Sequence, residues 1–292
     1  MESVRLLTAM ITPYDENLEI NYEKAGEIAN YLASNGSDGV IVSGTTGESP
    51  VLTGEEKLQL LETVKKAAGD KMQVWSGTGS NNTKETIKLS LEAEKLGADG
   101  IMLVTPYYNK PSQEGLYQHF KAIASKLSLP VMLYNVPGRT SSNLLPETVA
   151  KLVEIDNIVA VKEASGNMDQ VSLLKSLIAD RAMIYSGDDS LTLPIMALGG
   201  QGVVSIASHI IGNEIKEMIS LFAAAEVNKA TEMHIKLFPI FRGLFIASNP
   251  VPLKESLNLL GKEVGNLRLP LTSASDEERE FIKNLLKEHN LL

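Results

Sequence analysis

A lysine lies inside one of the most apolar stretches of the 292-residue chain. Lys162 stands in the run IVAVKEA (158–164), directly before Glu163. Burying a charged side chain there is costly unless it is paired, solvent-exposed or functional, and Glu163 points to the opposite face of an extended strand. Burial also lowers a lysine pKa, and the neutral amine is the form that attacks a ketone. The pattern indicates an imine-forming lysine; a strand-end lysine reaching solvent is the alternative.

Three further groups could support chemistry at an amine. Tyr134 closes the apolar run PVMLYNV (130–136), and its phenol could give and take protons during imine formation. Thr45 and Thr46 stand in a turn flanked by glycines, which could hold a carboxylate or relay a proton. Arg139 follows Pro137 and could grip a substrate carboxylate with two hydrogen bonds. Taken singly, these residues also fit a core tyrosine, a simple turn and a surface arginine.

The residue types that commonly bind metals give little indication of a metal site. The chain has no cysteine, so disulfides and thiolate ligands are excluded, and its four histidines are not spaced as a helical metal pair. Asp188 and Asp189 could suggest a metal, but a hydrogen-bonded turn or a helix N-cap before LTLPIMAL is the favoured interpretation. We therefore expect no metal site. An organic cofactor is not expected either, because a protonated imine on Lys162 would itself serve as the electron sink.

Charge and hydropathy limit which partners the protein could bind and where in the cell it could lie. The net charge is −9 with no basic run, which argues against nucleic-acid binding. No apolar run reaches the roughly 18 residues that a membrane helix needs. The first residues, MESVRLLTAMITPYDE, do not resemble a signal peptide. These features predict a cytoplasmic protein that binds neither nucleic acid nor membrane.

The elements that must position these residues alternate regularly along the chain. Eight short apolar runs are bounded by Gly, Pro or polar turns, and they lie at 6–12, 38–44, 72–78, 100–106, 130–136, 158–164, 183–189 and 202–208. Runs that are apolar on successive residues suit strands of a parallel sheet buried on both faces. Segments with helical spacing separate them, at 22–35, 55–68, 83–97, 113–127, 146–154, 169–179, 190–199 and 213–225.

Eight strand–helix units predict an α/β fold, a (β/α)8 TIM barrel, with its active site at the carboxyl ends of the strands. An open doubly wound sheet is less favoured, because the first turn has no G-x-G-x-x-G pattern. From about residue 226 the strands stop, and helical segments follow at 228–246, 251–260 and 276–290. We expect a catalytic barrel domain at 1–225 and a C-terminal helical domain at 226–292.

Together these motifs resemble the dihydrodipicolinate synthase/N-acetylneuraminate lyase superfamily. The resemblance covers the whole chain and is carried by TAMITP, GTTGES, TPYYNKPSQEGLYQHF, YNVPGRT, VKEASG and YSGDD. The arginine after YNVP is the pattern of the synthase branch. That branch implies a lyase that condenses pyruvate with L-aspartate 4-semialdehyde through a lysine Schiff base, in the diaminopimelate route to lysine. It also implies a homo-oligomer, commonly a dimer of dimers.

The resemblance also implies roles for individual residues. Lys162 would form the imine, and Tyr134, Thr46 and Tyr108 would form a proton relay, with Tyr108 supplied by a neighbouring protomer. Thr45 and Thr46 would hold the pyruvate carboxylate, and Arg139 the carboxylate of the aldehyde. Gly187 and Val204 would line the same face. Lysine-binding members would have their regulatory site at the positions of Ser49, Pro50, Gly54, Lys57, Asn81, Glu85 and Tyr107.

Two other functions and one regulatory question stay open. A sugar-acid aldolase would keep Lys162 and Tyr134 without needing Arg139, and a silent barrel could sense a 2-keto acid without a relay. Where lysine-inhibited relatives often carry histidines, this chain has Gly54 and Lys57. A cation at Lys57 would repel a lysine ammonium and could itself pair with Glu85, so we expect weak or absent lysine feedback.

Overall fold

Eight parallel strands close into a barrel in the computed structural model, which describes residues 4–292. Each strand pairs with its neighbours in chain order, and β8 pairs with β1. The strands are β1 (Leu6–Ala9), β2 (Gly39–Val42), β3 (Gln73–Gly77), β4 (Gly100–Val104), β5 (Val131–Asn135), β6 (Ile158–Glu163), β7 (Met183–Ser186) and β8 (Gly202–Ser205). All eight predicted strands are therefore confirmed, each slightly shorter than its apolar run.

Helices cover the outside of the barrel and continue beyond it. They are α1 (Tyr22–Ser34), α2 (Gly54–Ala68), α3 (Thr83–Lys95), α4 (Gln113–Ala124), α5 (Pro137–Thr140), α6 (Pro146–Leu152), α7 (Met168–Ile178), α8 (Thr192–Ala197), α9 (Ser208–Ala223), α10 (Val227–Gly243), α11 (Val251–Leu259) and α12 (Asp276–Glu288). Short 3-10 turns lie at Ser49–Val51 and Asp189–Leu191. None of the helices in residues 4–292 is both long enough and apolar enough to cross a membrane.

Local sequence explains where these elements begin and which face they bury. The α1 stripe of Ala25, Ile28, Ala29 and Leu32 is buried, as its spacing predicted. Thr53 begins α2 with a reciprocal capping box, and Asn82 caps α3 by accepting hydrogen bonds from two backbone N–H groups. The strands are almost wholly buried, as a sheet enclosed by helices requires.

The structure departs from the predicted helices in two places. A single turn, α5, follows β5 directly, because Val136 accepts hydrogen bonds from the N–H groups of Arg139 and Thr140. Helix α9 begins at Ser208 rather than near residue 213, with a kink at Ile211 where the backbone is not helical. The apolar residues before the kink are buried, so periodicity alone could not separate the end of β8 from the start of the helix.

Candidate active site

The side chains of Lys162 and Tyr134 meet at the carboxyl end of the barrel. The two residues are register partners on adjacent strands, so their side chains lie on the same side of the sheet. The Lys162 Nζ lies 4.2 Å from the centre of the Tyr134 ring, and each side chain is 5% exposed. The strand pairing therefore buries a lysine amine against an aromatic face, next to a phenolic hydroxyl.

The surroundings of Lys162 favour its neutral form. Burial lowers its pKa to about 8, and the positive charge of Arg139 acts in the same direction. The carboxylates of Asp188 and Asp189 oppose this effect and keep the pKa from falling further. A substantial fraction of the amine is therefore unprotonated near neutral pH, which an ordinary surface lysine is not.

Tyr134 has the opposite bias. Burial raises the pKa of its phenol to about 12, although Arg139 and the Thr45 hydroxyl, which lies within hydrogen-bonding reach, partly counteract this. The phenol therefore keeps its proton at neutral pH and can donate it to a developing alkoxide. The nearby hydroxyl is that of Thr45, where we expected Thr46 in the relay. The Thr46 hydroxyl instead accepts a hydrogen bond from Asn249, 3.0 Å away.

A cavity of about 390 Å³ opens beside this pair. Thr45, Tyr134 and Arg139 line one part of it, and Arg139 is exposed on α5. Lys162 is not among the residues that line the cavity, but its amine contacts the ring of Tyr134, which does line it. An exposed arginine on this cavity and a buried amine next to it suit a substrate that carries both a carboxylate and a carbonyl.

The two aspartates after β7 have different partners. Asp188 is half-buried, and burial raises its pKa while Lys162 and Arg139 lower it. Asp189 is buried and accepts hydrogen bonds from the backbone N–H groups of Ile206 and Ala207 and from the Ser205 hydroxyl. Of the two predicted alternatives, the hydrogen-bonded turn is confirmed, because the Leu191 N–H donates to the Asp188 carbonyl at 3.0 Å in the 3-10 turn. The helix N-cap is wrong, because neither carboxylate caps that turn; Asp189 instead ties β7 to the end of β8.

Gly187 and Val204 occupy closely packed positions, which limit the size of the side chain there. The Gly187 N–H donates to the Glu163 carbonyl at 2.8 Å, and a Cβ there would lie 2.6 Å from that of Ala164. The glycine therefore lets the ends of β6 and β7 approach each other. Val204 is fully buried on β8, with Leu7 of β1 as its register partner.

The expected regulatory residues divide between the cavity and the surface. Ser49, Pro50, Lys57 and Tyr107 line a second part of the same cavity. Asn81 is nearby and donates to the Tyr107 carbonyl at 3.1 Å, whereas Gly54 and Glu85 are exposed at the starts of α2 and α3. Burial is the sole cause of the lowered Lys57 pKa, so the predicted pairing with Glu85 is not observed among the described residues.

Tyr108 lies apart from these groups. Its side chain is 89% exposed and its backbone φ is +73°, which is rare for a bulky side chain. It is not among the residues that line the cavity.

Sequence reasoning missed a second set of buried polar residues. Glu48 in the strand-2 turn is buried, as are Asn249 and Lys254, which contact this turn and lie close together in the sequence but far from Glu48. Lys254 follows the apolar residues VPL in VPLKESL (251–257), as Lys162 follows IVAV, and that signal could have identified it. Glu48 and Asn249 carry no such signal, because their neighbours in the sequence are not an apolar run. Across residues 4–292, no cluster of three His, Asp or Glu side chains is arranged to hold a metal ion.

The barrel and its buried lysine–tyrosine pair define a Schiff-base-forming lyase of the aldolase type. The chain belongs to the dihydrodipicolinate synthetase family, whose model matches residues 2–289. A curated relative from Desulforudis audaxviator, a 4-hydroxy-tetrahydrodipicolinate synthase, is 55% identical over 99% of this chain and 98% of its own. A relative of the same name from Moorella thermoacetica is 53% identical over the full length of both chains.

Solved structures agree with this assignment. The dihydrodipicolinate synthase from Cyanidioschyzon merolae, solved with lysine bound, matches with a TM-score of 0.97 and 46% identity, covering 99% of this chain and 98% of its own. The enzyme from Thermotoga maritima matches with the same TM-score and 40% identity over the whole of both chains. The predicted family and the TIM-barrel fold are therefore confirmed.

Proposed function

We propose that the chain acts as a 4-hydroxy-tetrahydrodipicolinate synthase, condensing pyruvate with L-aspartate 4-semialdehyde in the diaminopimelate route to lysine. The contact between the Lys162 amine and the Tyr134 ring is the observation that carries the proposal, since it places a buried amine with a lowered pKa beside a proton donor. The names of the curated relatives support the choice of substrates.

In the first half of the reaction, the Lys162 amine attacks the ketone carbon of pyruvate. Tyr134 protonates the oxygen of the resulting carbinolamine, which leaves as water and gives an imine. A proton then leaves the methyl carbon, and the electron pair moves into the protonated imine to form an enamine. The Schiff base is itself the electron sink, so the chemistry requires no cofactor.

In the second half, the enamine carbon attacks the aldehyde carbon of L-aspartate 4-semialdehyde. The carbonyl oxygen of that substrate takes up a proton, and its amine displaces Lys162 by transimination, which closes the ring and frees the enzyme. Arg139 binds the carboxylate of the aldehyde and orients it for bond formation. Thr45 takes the relay position beside Tyr134, while the strand-2 turn holds the pyruvate carboxylate. Gly187 and Val204 would lie on the same face of the barrel as these groups.

Borohydride trapping tests the covalent step. The protein is incubated with pyruvate and reduced, and the modified peptide is located by mass spectrometry. The adduct is expected on Lys162, and Lys162→Arg should remove it. An adduct elsewhere, on Lys254 for example, would contradict the mechanism. Lys254 is the matched internal control, because burial also lowers its pKa to about 8.

A coupled assay decides the second substrate. Pyruvate with L-aspartate 4-semialdehyde should turn over far faster than pyruvate with glyceraldehyde. Arg139→Met should raise KM for the semialdehyde, while the pyruvate adduct should still form on Lys162. The reverse substrate preference would favour the sugar-acid aldolase instead.

The assembly proposed for the protein is a homo-oligomer, a dimer or a dimer of dimers in the cytoplasm. In that assembly the exposed Tyr108 of each protomer enters the site of its neighbour and completes the relay. Residues 1–225 would form the catalytic barrel domain and residues 226–292 the helical domain.

Lysine feedback is proposed to be weak. Lys57 contributes an amine to the part of the cavity where the regulatory ligand would bind, and it would repel a lysine ammonium. The enzyme from Cyanidioschyzon merolae was solved with lysine bound, so inhibition is the alternative. Isothermal titration decides between them, and micromolar lysine binding would refute weak feedback.

A further inference from the structure

The turn after β2 has a demanding backbone. Ser43 has a φ of +55° and Glu48 a φ of +56°, both in the left-handed region that side chains other than glycine seldom adopt. Between them, Gly47 is so closely packed that a Cβ would lie 3.0 Å from the Met10 carbonyl oxygen. Two such residues flanking one turn persist only when the surroundings hold them in place.

Asn249 supplies one of the contacts that hold this turn. Its Nδ2 donates to the Thr46 hydroxyl at 3.0 Å, and both side chains are buried. The two residues are separated by 203 positions in the sequence. On the other side of the turn, the Thr12 hydroxyl donates to the Gly47 carbonyl at 2.7 Å. The turn is therefore held both by the loop after β1 and by residues 249–268, here called the C-terminal segment.

A buried ion pair supplies a second contact from the same segment. The Lys254 Nζ lies 2.7 Å from Glu48 Oε1, and both side chains are 1% exposed. The amine also donates to the Asn266 carbonyl at 2.8 Å and lies 4.1 Å from the centre of the Tyr14 ring. The other oxygen of Glu48 accepts from the Arg268 N–H at 3.1 Å. Glu48 is thus held at both carboxylate oxygens by residues of the C-terminal segment.

These contacts reach the chemistry through Thr45. That residue lies next to Thr46 in the chain, lines the cavity and places its hydroxyl near Tyr134. A movement of the turn would shift this hydroxyl relative to the phenol, and a misplacement of about 1 Å can cost a reaction on the order of 100-fold.

We infer that Asn249 and Lys254 are positioning residues, which hold the strand-2 turn in the conformation that proton transfer to the Lys162 adduct requires. The C-terminal segment then takes part in the reaction without touching the substrate. This inference rests on the proposed function, and it adds a role for residues that lie outside the strand–helix units of the barrel.

A double-mutant cycle between Asn249 and Thr46 tests the first contact. Asn249→Ala and Thr46→Val should each slow pyruvate trapping and lower kcat by about tenfold. This is less than the loss on the order of 100-fold for a full misplacement, because other contacts still hold the turn. KM for the aldehyde should stay near wild type, because Arg139 is untouched. The double variant should be no slower than the slower single variant, since both remove the same hydrogen bond. Thr46→Ser keeps the hydroxyl and should retain most of the rate.

A paired substitution tests the second contact. Glu48→Gln with Lys254→Met removes both charges together, which avoids leaving one of them buried alone. The variant should fold and trap pyruvate on Lys162 about tenfold more slowly. The control is Asn258→Ala. It breaks two hydrogen bonds within the same segment, to Val264 and Gly265, and neither of them involves the turn. It should lower the melting temperature without lowering kcat.

The outcomes separate the inference from the proposed function. Absence of a wild-type adduct on Lys162 would overturn the proposed function. A normal wild-type adduct together with multiplicative effects in the cycle would overturn the role of Asn249. A paired variant with wild-type trapping would overturn the role of Lys254. If Asn258→Ala lost kcat to the same degree as Asn249→Ala, general loosening of the segment would replace positioning as the explanation.

Discussion

Lys162 and Tyr134 depend on the same burial for opposite effects. Exclusion of water disfavours the charged form of each group, which lowers the lysine pKa and raises that of the phenol. One environment thus yields a free amine and a protonated hydroxyl a few ångströms apart, the combination that imine formation needs. Nearby charges adjust the Lys162 pKa further. Arg139 lowers it, and Asp188 raises it.

The contribution of the Tyr134 hydroxyl to kcat can be measured by a substitution that removes only its oxygen atom. Tyr134→Phe should lower kcat by about 10²–10³-fold, since a positioned proton donor contributes on that order. Its matched control is Tyr185→Phe. Tyr185 is equally buried, but its hydroxyl donates to the Val4 carbonyl. The control should lose about 1 kcal/mol of stability and little activity. Comparable kcat values for the two variants would argue against a proton relay.

The pH dependence of trapping follows from the Lys162 pKa of about 8. Only the neutral amine attacks pyruvate, so the trapping rate should rise with pH and level off above that pKa. Asp188→Asn removes a charge that raises the pKa, so its rising limb should move to lower pH. Arg139→Met removes a charge that lowers the pKa, so its limb should move to higher pH. Rates at fixed pyruvate between pH 6 and 10 provide the measurement, and shifts in one common direction would contradict this electrostatic account.

At the scale of elements, the ends of the strands are held by polar contacts. Glu163 points away from Lys162 and accepts hydrogen bonds from Asn135 and from the Ser165 N–H. Asp189 joins β7 to β8 in a similar way. These buried carboxylates place the catalytic ends of neighbouring strands, and each is satisfied by several donors, as a buried charge must be.

The close approach of β6 and β7 gives a prediction at this scale. Gly187→Ala would place a Cβ 2.6 Å from that of Ala164, so one strand end must shift. We expect a stability loss of about 1–3 kcal/mol, as for overpacking in a core, together with a fall in kcat. Gly26→Ala is the control, since its Cβ would meet Ala67 at an ordinary 3.6 Å within α1. It should stabilise the protein by about 0.5–1 kcal/mol. Urea denaturation and steady-state kinetics measure both effects. A Gly187→Ala variant with wild-type stability and wild-type kcat would refute the packing constraint.

At the scale of the whole molecule, the proposed relay requires a second copy of the chain. The exposed Tyr108 has a left-handed backbone conformation. Such strain usually marks a functional position. A second copy of the chain would give it a role in the proposed relay.

Subunit complementation tests this sharing. Tyr108→Ala and Lys162→Ala should each be nearly inactive alone. In a mixed dimer, the chain with Tyr108→Ala keeps its lysine and receives the tyrosine of its partner. Refolding the two together in equal amounts should restore about a quarter of wild-type activity, because half of the dimers are mixed and each has one complete site. No recovery, with mixed dimers verified by mass spectrometry, would contradict the shared site.

Much of the architecture could be predicted because it depends on patterns that are local in the sequence. The eight strands, most helix positions and the α1 core face follow from apolar periodicity, turn residues and caps. Lys162 and Tyr134 were also accessible, since a polar group that ends an apolar run is conspicuous. Helix α9 began earlier than predicted, because a buried helix start and a buried strand end are equally apolar.

The sequence by itself therefore determined the barrel, the family and the candidate nucleophile, because period, turn chemistry and motif are local properties of the chain. Only the tertiary structure decided which threonine hydroxyl lies near Tyr134, what Asp189 binds, and that Asn249 and Lys254 meet the strand-2 turn. These contacts join residues far apart in the chain, and closure of the barrel brings them together. Lys162 attained its low pKa in the same way, since its burial depends on neighbours that the run IVAVKEA does not specify.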